Sequence, residues 1–347
     1  MSETTSTRIA ASLLAVAVGE NLAARRAAET ATSGTLGPLD ASEGRLGPLT
    51  QLCLFTTEAL LICGVELERS DQCLPPARLE EAYRRWLVGS GQRPSPADQG
   101  PQGWLALVPT ATRAAVVAPG LGAALGAAVG GRLSRRPNQD AGAESLVRAV
   151  PAGFLVPGFT AGASPEEAYH LGCETAVVTH GSDAAVHADG CLAALVCCLV
   201  AGEQLAAAVA RADGLTTPEL SAVLSAAVEL GAGGAPSAEA LEGRFGRAER
   251  ADDALGVALA CAAGSGRDVA LGASACLTVP SSAASAACGA LVGARDGIGA
   301  LPEAWLGGLE GRWLVAELAD DVVRWLQWGA DAQGELELGE RFLERYG

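Results

Sequence analysis

The class of this fold is decided by residues 75–87, which read PPARLEEAYRRWL. Apolar side chains recur there at i, i+3, i+4, i+7 and i+8 counted from Leu79, and this spacing forms one face of an amphipathic α-helix. Two prolines open the stretch and Glu80 and Glu81 follow them, which is the composition of a helix N-terminus. The stretch therefore predicts a helix that buries one face against a core.

The same chemistry marks further helix starts along the chain. Ser164 can cap a helix, Pro165 suits its first turn, and Glu167 can complete a capping box. Similar starts lie at residues 217–219, 237–239 and 302–303, and a long amphipathic helix is predicted over residues 312–328. Strand signals are weak, since the apolar run 105–108 suits an extended segment or a helix equally. The pattern predicts an all-α fold.

Composition agrees with a single helical domain. The chain has 347 residues, of which 49% are hydrophobic, so it can bury a large core. Aromatic residues make up only 4%, and the many Ala and Gly residues suit closely packed helices. Loops are predicted near residues 31–48, 89–103, 131–143 and 230–237, and none is biased enough to be a domain linker. We predict a flexible N-terminus over residues 1–7 and one domain over residues 8–347.

Charge and hydropathy limit the partners. The net charge is −16 and the pI is about 4.6, so a broad nucleic-acid-binding face is not expected, whereas a basic protein partner remains open. Residues 9–18 are apolar, but Gly19-Glu20-Asn21 interrupt them and no signal-peptide cleavage site is evident. Residues 115–131 are apolar and glycine-rich with a proline, so they predict a buried helix and not a membrane anchor.

Cysteine usage indicates a reducing compartment. Ten cysteines occur, no two form a CxxC pair, and most lie in apolar runs, where they act as small core residues. A disulfide framework or a zinc site fits this pattern poorly. We therefore predict a cytoplasmic protein. The chain has no lysine and its 24 basic residues are all arginine, which we attribute to a GC-rich bacterial genome.

Five segments, in order, resemble the ADP-ribosylglycohydrolase family. They are its opening helix (RIAASLLAVAVGEN, 8–21), its Arg-x-x-Pro-x-Gly turn (RAVPAG, 148–153), its Thr-His segment (AVVTHG, 176–181), a glycine-spaced helix (ACGALVGA, 287–294) and an Ile-Pro-x-x-Trp closure (IGALPEAW, 298–305). The resemblance covers roughly residues 8–330. It implies a compact orthogonal helical bundle. It also implies release of ADP-ribose from modified side chains, often arginine, with two Mg²⁺ or Mn²⁺ ions.

The two metal-binding motifs of that family are altered in this sequence. Residues 50–53 read TQLC where the family has Thr-Asp-Asp-Thr, and residues 279–283 read VPSSA where it has Gly-Asp-Ser-Asp-Thr. Leu52 and Pro280 offer no side-chain oxygen, and Gln51, Ser281 and Ser282 offer only neutral ones. Hard dications need carboxylate oxygens, so no metal, cofactor or catalytic residue is assigned. The resemblance implies a former cleft near Glu20, Thr50, Gln51, Leu52, Asp183, Pro280, Ser281 and Ser282.

Other candidate sites are weaker. Glu20, Glu58 and Asp183 could approach the cleft, although ordinary helix-end or surface roles suit each of them better. The pairs 252–253 and 320–321 diverge by about 100° on a helix, so we interpret them as a helix cap and a solvated stretch. His180 and His187 would need a third ligand for zinc, and a buried structural role is the simpler interpretation of His180. No Gly-x-Ser-x-Gly elbow occurs, and the glycine cluster 120–126 lacks dinucleotide-loop spacing.

Three functions follow from this sequence. The first is an inactive relative that binds an ADP-ribose-like ligand or a protein partner through the former cleft. The second is an active hydrolase with altered or absent metal, using Glu20 or Asp183 as a general base. The third is a structural subunit of a hetero-complex, with residues 325–328 (WLQW) as a candidate apolar contact. The sequence does not predict the oligomeric state.

Overall fold

A computed structural model describes residues 2–28, 44–70, 72–91, 103–113, 138–158, 163–331 and 337–347. Helix accounts for 76% of the structure, and no strand occurs among these residues. The predicted all-α fold is therefore confirmed. The predicted buried helix over 115–131 and the glycine cluster 120–126 lie outside the described residues.

The described helices begin and end as follows. The first half of the chain forms α1 (Glu3–Ala28), α2 (Pro48–Ser70), α3 (Pro75–Gly89), α4 (Pro109–Thr112), α5 (Pro165–Val177) and α6 (Asp183–Ala201). The second half forms α7 (Leu205–Asp213), α8 (Pro218–Gly231), α9 (Ala238–Phe245), α10 (Ala251–Gly264), α11 (Val269–Cys276), α12 (Ser282–Asp296), α13 (Glu303–Gly307), α14 (Arg312–Ala330) and α15 (Glu340–Tyr346). Three 3₁₀ helices lie at Trp104–Leu107, Ala143–Gly153 and Ile298–Ala300.

Helix starts follow the capping chemistry of the sequence. Ser164 and Glu167 form the predicted capping box at the start of α5. Thr217 and Ser237 accept backbone hydrogen bonds as the N-caps of α8 and α9. The ambiguous run 105–108 is mostly 3₁₀ helix.

The first helix begins earlier than the sequence predicts. α1 starts at Glu3, whereas a flexible segment was predicted to extend to residue 7. Ser2 accounts for the difference, because its Oγ accepts a hydrogen bond of 3.2 Å from the backbone N–H of Thr5. This bond satisfies one of the N–H groups that a helix N-terminus leaves open.

The centre of the core is a close crossing of α1 and α12. A Cβ at Gly293 would lie 2.4 Å from the backbone oxygen of Ala11, so only glycine permits this approach. Ser12 Oγ also donates to the backbone oxygen of Ala290 over 3.1 Å. By length and composition alone, α1, α2 and α6 could each cross a membrane, but 72%, 94% and 78% of their apolar windows are buried in the domain. Their apolar faces thus pack against other helices of the fold.

One cysteine pair departs from the sequence interpretation. Cys63 of α2 and Cys73, in the turn before α3, form a disulfide. The pairing was missed because the two residues have no motif spacing and only the helical hairpin brings them together. The other eight cysteines are free, and all except the partly buried Cys173 are buried, as expected of small core residues.

Asp252 and Asp321 have roles that differ from those predicted for their acidic pairs, whereas Asp320 is exposed as predicted. Asp252 lies in the first turn of α10, but it accepts hydrogen bonds from the Arg250 side chain and does not cap the helix. Asp321 was predicted to be solvated, yet it is 5% exposed and accepts a hydrogen bond from Tyr346. The cause is α15, which folds back over this part of α14.

Candidate functional site

A pocket of about 600 Å³ lies where the end of α1 meets the N-termini of α2 and α12. Its lining comes from the end of α1, residues 45–49, Thr110 and Arg113, residues 143–144, residues 247–249, residues 280–283 and Glu310. These segments are far apart in the sequence. An isolated antiparallel bridge between Gly142 and Arg250 brings two of them together.

Glu20 closes the α2 side of the pocket. Its Oε1 accepts a hydrogen bond of 3.0 Å from the N–H of Leu49, and its Oε2 accepts bonds of 2.8 and 2.6 Å from the N–H and the Oγ1 of Thr50. A Cβ at Gly47 would lie 2.3 Å from the Glu20 carboxyl carbon, so glycine is needed for this arrangement. The carboxylate thereby satisfies the open N–H groups at the start of α2.

The environment of Glu20 has opposing effects on its acidity. Burial raises the pKa of Glu20 above its ordinary value, while the hydrogen bonds from Thr50 and Leu49 act in the opposite direction. Its two oxygens already accept three hydrogen bonds, from the N–H of Leu49 and from the N–H and the hydroxyl of Thr50. Glu20 therefore acts structurally, as an acceptor for the helix N-terminus.

The next two residues of α2 point away from the pocket into the core. The Gln51 amide donates to the backbone oxygen of Leu46 over 2.8 Å, and its oxygen accepts a 2.7 Å hydrogen bond from Trp86 Nε1. Leu52 is fully buried among apolar side chains. The side chains of Gln51 and Leu52 therefore both lie in the interior of the domain.

On the α12 side, Ser281 is the N-cap of the helix. Its Oγ accepts a 3.3 Å hydrogen bond from the N–H of Ala284 and donates over 3.0 Å to the backbone oxygen of Ala248. Pro280 and Ser282, on either side of it, line the pocket. This end is more open than the α2 side, since Pro280 is exposed and Ser282 is half-buried.

The wall formed by residues 143–144 carries an ionised carboxylate next to a buried histidine. The Nε2 of His180 lies 3.9 Å from an oxygen of Glu144 and 3.9 Å from an oxygen of Asp140, beyond hydrogen-bond distance. His180 is fully buried, and its Nε2 has no hydrogen-bond partner among the described residues. Because the ring faces Glu144, the pKa of Glu144 lies below its ordinary value, with a smaller contribution from Arg148. Glu144 is therefore a carboxylate at neutral pH.

Behind this wall lies a buried polar network centred on Arg148. Arg148 donates to Thr179 Oγ1, and its guanidinium carbon lies 4.9 Å from the centre of the Tyr83 ring. Thr179 Oγ1 is also 2.8 Å from Nδ1 of His180, which fixes the orientation of the ring. Asp189 accepts a 2.9 Å hydrogen bond from Ser145, and burial raises its pKa from 3.8 to about 7. The network holds the 3₁₀ helix Ala143–Gly153 in place.

The rim of the pocket carries three arginines, each paired with a glutamate. Arg113 Nη1 donates to both oxygens of Glu310 over 2.8 and 3.1 Å, and Arg45 lies 3.7 Å from the same carboxylate. Arg247 lies 3.5 Å from Glu249. Their side chains are 48%, 62% and 69% exposed respectively, so they can turn towards a ligand.

The sequence-predicted positions divide into two groups. Glu20, Pro280, Ser281 and Ser282 line the pocket, while Thr50, Gln51 and Leu52 lie behind its wall in α2. Asp183 begins α6 and is not among the lining residues, and Glu58 is buried elsewhere against Arg85. His180 and His187 do not share a helix, because α5 ends at Val177 and α6 begins at Asp183.

Three pocket carboxylates were not predicted from the sequence, namely Glu144, Glu249 and Glu310. The only sequence signal was the position of Glu144, four residues before the Arg148 turn. Their convergence depends on the bridge near Gly142 and on a second one between Gly44 and Leu309. Such isolated pairings between distant loops have no local sequence pattern.

The donor set at the two altered motifs does not fit a pair of divalent ions. The polar side-chain atoms of Thr50 and Gln51 already bond to Glu20, Leu46 and Trp86. Leu52 and Pro280 have no side-chain oxygen. Mg²⁺ and Mn²⁺ require several oxygen ligands, usually with carboxylate charge. Across the described part of the chain, no group of three or more His, Cys, Asp or Glu side chains could hold a metal ion.

Comparisons with known proteins agree on the fold. The family model described as ADP-ribosylglycohydrolase matches residues 1–331. Among solved structures, one described as an "ADP-ribosylglycohydrolase-related protein complex" superposes with a TM-score of 0.64 at 21% sequence identity, covering 94% of this chain and 100% of that one. No curated protein matches the sequence significantly.

Proposed function

This chain belongs to the ADP-ribosylglycohydrolase family, and we propose that it is an inactive member that binds an ADP-ribose-like ligand or a protein partner through the former cleft. The observation that carries the proposal is the hydrogen bonding and burial of the residues on the α2 side of the pocket. Both oxygens of Glu20 accept hydrogen bonds from Leu49 and Thr50 at the start of α2, and Leu52 is fully buried. A concave pocket is retained next to these residues without the ligand set of a binuclear metal site.

The exposed arginines of the rim favour a ligand that carries an anionic group. Guanidinium groups bind phosphate oxygens in a bidentate manner, and Arg45, Arg113 and Arg247 are exposed enough to do so. The pocket also contains Glu20, Glu144, Glu249 and Glu310, so its carboxylates outnumber its arginines by one. We therefore expect modest affinity for ADP-ribose that weakens as salt is added.

Calorimetric titration of ADP-ribose, with and without Mg²⁺ or Mn²⁺, tests the proposal. We expect binding that does not depend on metal, together with no cleavage of an ADP-ribosyl-arginine peptide. Arg113→Met should weaken binding. Arg211→Met is the matched control, because Arg211, which lies on α7, pairs with Glu203 and is outside the pocket lining. Metal-dependent binding with turnover would refute the inactive assignment. Absence of binding in every condition would favour a protein partner.

An active hydrolase with altered chemistry is the second candidate, and Glu144 is the residue that favours it. Glu144 lines the pocket, is ionised, and lies beside the buried ring of His180. Such a carboxylate can accept a proton from water or stabilise a cationic sugar. Glu20, proposed from the sequence as the base, has its oxygens engaged by α2, and Asp183 is not in the pocket lining. Any metal-independent cleavage should be lost in Glu144→Gln.

A structural subunit is the third candidate. The solved structure that superposes on this chain is described as a protein complex, and this alone favours the idea. The apolar contact predicted at residues 325–328 gives no support, because Trp325 is 1% exposed and stacks on Phe342. Size-exclusion chromatography with light scattering, before and after adding a cell extract, would test for a stable partner.

A further inference from the structure

The last helix, α15, lies beyond the residues that the family model matches. We propose that α15 is a strap that positions one wall of the pocket through residues 103–113, which we call the wall segment. The pocket residues Thr110 and Arg113 belong to this segment. Binding at the pocket would then depend on a C-terminal helix that contributes no residue to its lining.

α15 is firmly attached to α14. Phe342 stacks on Trp325 with ring centres 6.2 Å apart and planes at 5°. Tyr346 Oη and Arg345 Nη1 each donate a 2.8 Å hydrogen bond to Asp321 Oδ2. Phe342 and Tyr346 are each 1% exposed. The short helix is therefore held by both apolar and polar contacts.

The same two residues at the end of α15 also hold the wall segment. Trp104 Nε1 donates a 3.1 Å hydrogen bond to Tyr346 Oη. The guanidinium carbon of Arg345 lies 4.6 Å from the centre of the Trp104 ring, at cation–π distance. Tyr346 thus connects α14 to the wall segment through a single hydroxyl, which accepts from Trp104 and donates to Asp321.

The regular structure of the wall segment is limited to two short turns of helix. It contains one four-residue 3₁₀ helix and one four-residue α-helix. Besides α15, three contacts fix it: the buried Glu58 accepts a 2.8 Å hydrogen bond from the N–H of Leu105, Gln51 donates over 3.2 Å to the backbone oxygen of Arg113, and the Arg113 side chain pairs with Glu310 at the rim. Segments with few internal hydrogen bonds owe their order to such anchors. Loosening one anchor should raise the mobility of Thr110 and Arg113.

Hydrogen–deuterium exchange of the full chain tests the strap. Tyr346→Phe keeps the ring and removes the hydroxyl that links Trp104 to Asp321, so we expect about fivefold faster exchange in the wall segment. Exchange in α6 should not change. Arg211→Gln is the control, because Arg211 is 55% exposed and pairs with Glu203, away from α14 and α15. A chain that ends at Asp331 should show a larger increase in the same segment.

Two outcomes would overturn the proposal. Unchanged exchange in the wall segment in both Tyr346→Phe and the shortened chain would show that α15 does not position it. Faster exchange in every segment of the Tyr346→Phe variant would show that α15 stabilises the whole domain and has no specific effect on the wall segment. A titration with ADP-ribose adds a second readout that rests on the proposed function, and we expect several-fold weaker binding in Tyr346→Phe only. If the unaltered protein does not bind ADP-ribose, that function fails while the exchange data still decide the strap.

Discussion

The two sides of the pocket have opposite characters. On the α2 side, the polar atoms of Glu20, Thr50 and Gln51 are all paired with one another, with backbone groups or with Trp86. On the side of residues 140–144, the Glu144 carboxylate is one-third exposed and the Nε2 of His180 has no hydrogen-bond partner among the described residues. The first side is closed by its own hydrogen bonds, whereas on the second the partly exposed Glu144 carboxylate faces the pocket and the buried His180 lies behind it.

This difference contrasts a helix N-terminus that is satisfied internally with a wall that faces the pocket. A helix N-terminus attracts negative charge, and the Glu20 carboxylate provides it at the start of α2 without any ion. That carboxylate makes the α2 side stable by itself. The opposite wall is held from behind by Arg148, Thr179 and Asp189, so its outward groups stay available. The exposed charged groups of the pocket therefore lie on the second wall and the rim.

The largest effect should come from restoring a carboxylate on the α2 side. Leu52→Asp places a charge in a fully buried apolar site and should cost at least about 5 kcal/mol, enough to prevent folding. Ser282→Asp is the matched control, because it adds the same group at the half-buried first residue of α12 and should change stability by less than about 1 kcal/mol. Urea unfolding compares the two variants. A folded Leu52→Asp variant that binds Mn²⁺ would show that α2 can still open to metal.

Removing the internal carboxylate should have the next largest effect. Glu20→Ala leaves the N–H groups of Leu49 and Thr50 without their acceptor and should lower the free energy of unfolding by about 3 kcal/mol. Glu239→Ala, at an exposed position in the first turn of α9, should have almost no effect. Thermal unfolding of both variants measures the difference. Equal stability would mean that pocket water replaces Glu20 at no cost, so the closed character of this side would be wrong.

Sequence reasoning succeeded where structure is local and failed where it is not. The helix starts at Ser164 and Thr217 were predicted because capping depends on residues within one turn. Pro280 and Ser282, which resemblance to a family motif assigned to the former cleft, line the pocket, and their role there stays a prediction. Glu310 at the rim and the burial of Asp321 depend on contacts between distant segments, and the Cys63–Cys73 pair depends on how the chain turns from α2 into α3, so no motif in the sequence encodes them.

The buried network behind the open wall predicts a dependence of stability on pH. Because the pKa of Asp189 is raised from 3.8 to about 7, the folded state binds its proton more tightly than the unfolded state does. The contribution of Asp189 to stability is therefore fully present below pH 3.8 and is lost as the pH rises through about 7. Between about pH 4 and about pH 8, Asp189→Asn should reduce the pH-dependent loss of stability by about 2 kcal/mol. We expect less than the whole pKa shift would give, because local opening solvates the carboxylate.

Urea unfolding at pH values from about 4 to about 8 measures this slope for the unaltered protein and for Asp189→Asn. The exposed Asp320→Asn on α14 serves as the control and should keep the slope of the unaltered protein. An unchanged slope in Asp189→Asn would show that the Asp189 carboxyl is ionised in the folded state throughout this range. The Arg148 network would then be a fully charged pair.

The smallest effect on stability should accompany a gain in binding at the rim. Glu310→Gln removes the partner that Arg113 and Arg45 share, and since this ion pair is largely exposed, stability should change by less than about 0.5 kcal/mol. The freed guanidinium groups and the lost negative charge should strengthen ADP-ribose binding about threefold at low salt, with the gain disappearing at high salt. Glu249→Gln, which frees Arg247, tests in the same way whether this third rim arginine contacts the ligand. If only Glu310→Gln strengthens binding, the anionic group of the ligand lies between α2 and α14; if neither variant does, the rim arginines do not contact it.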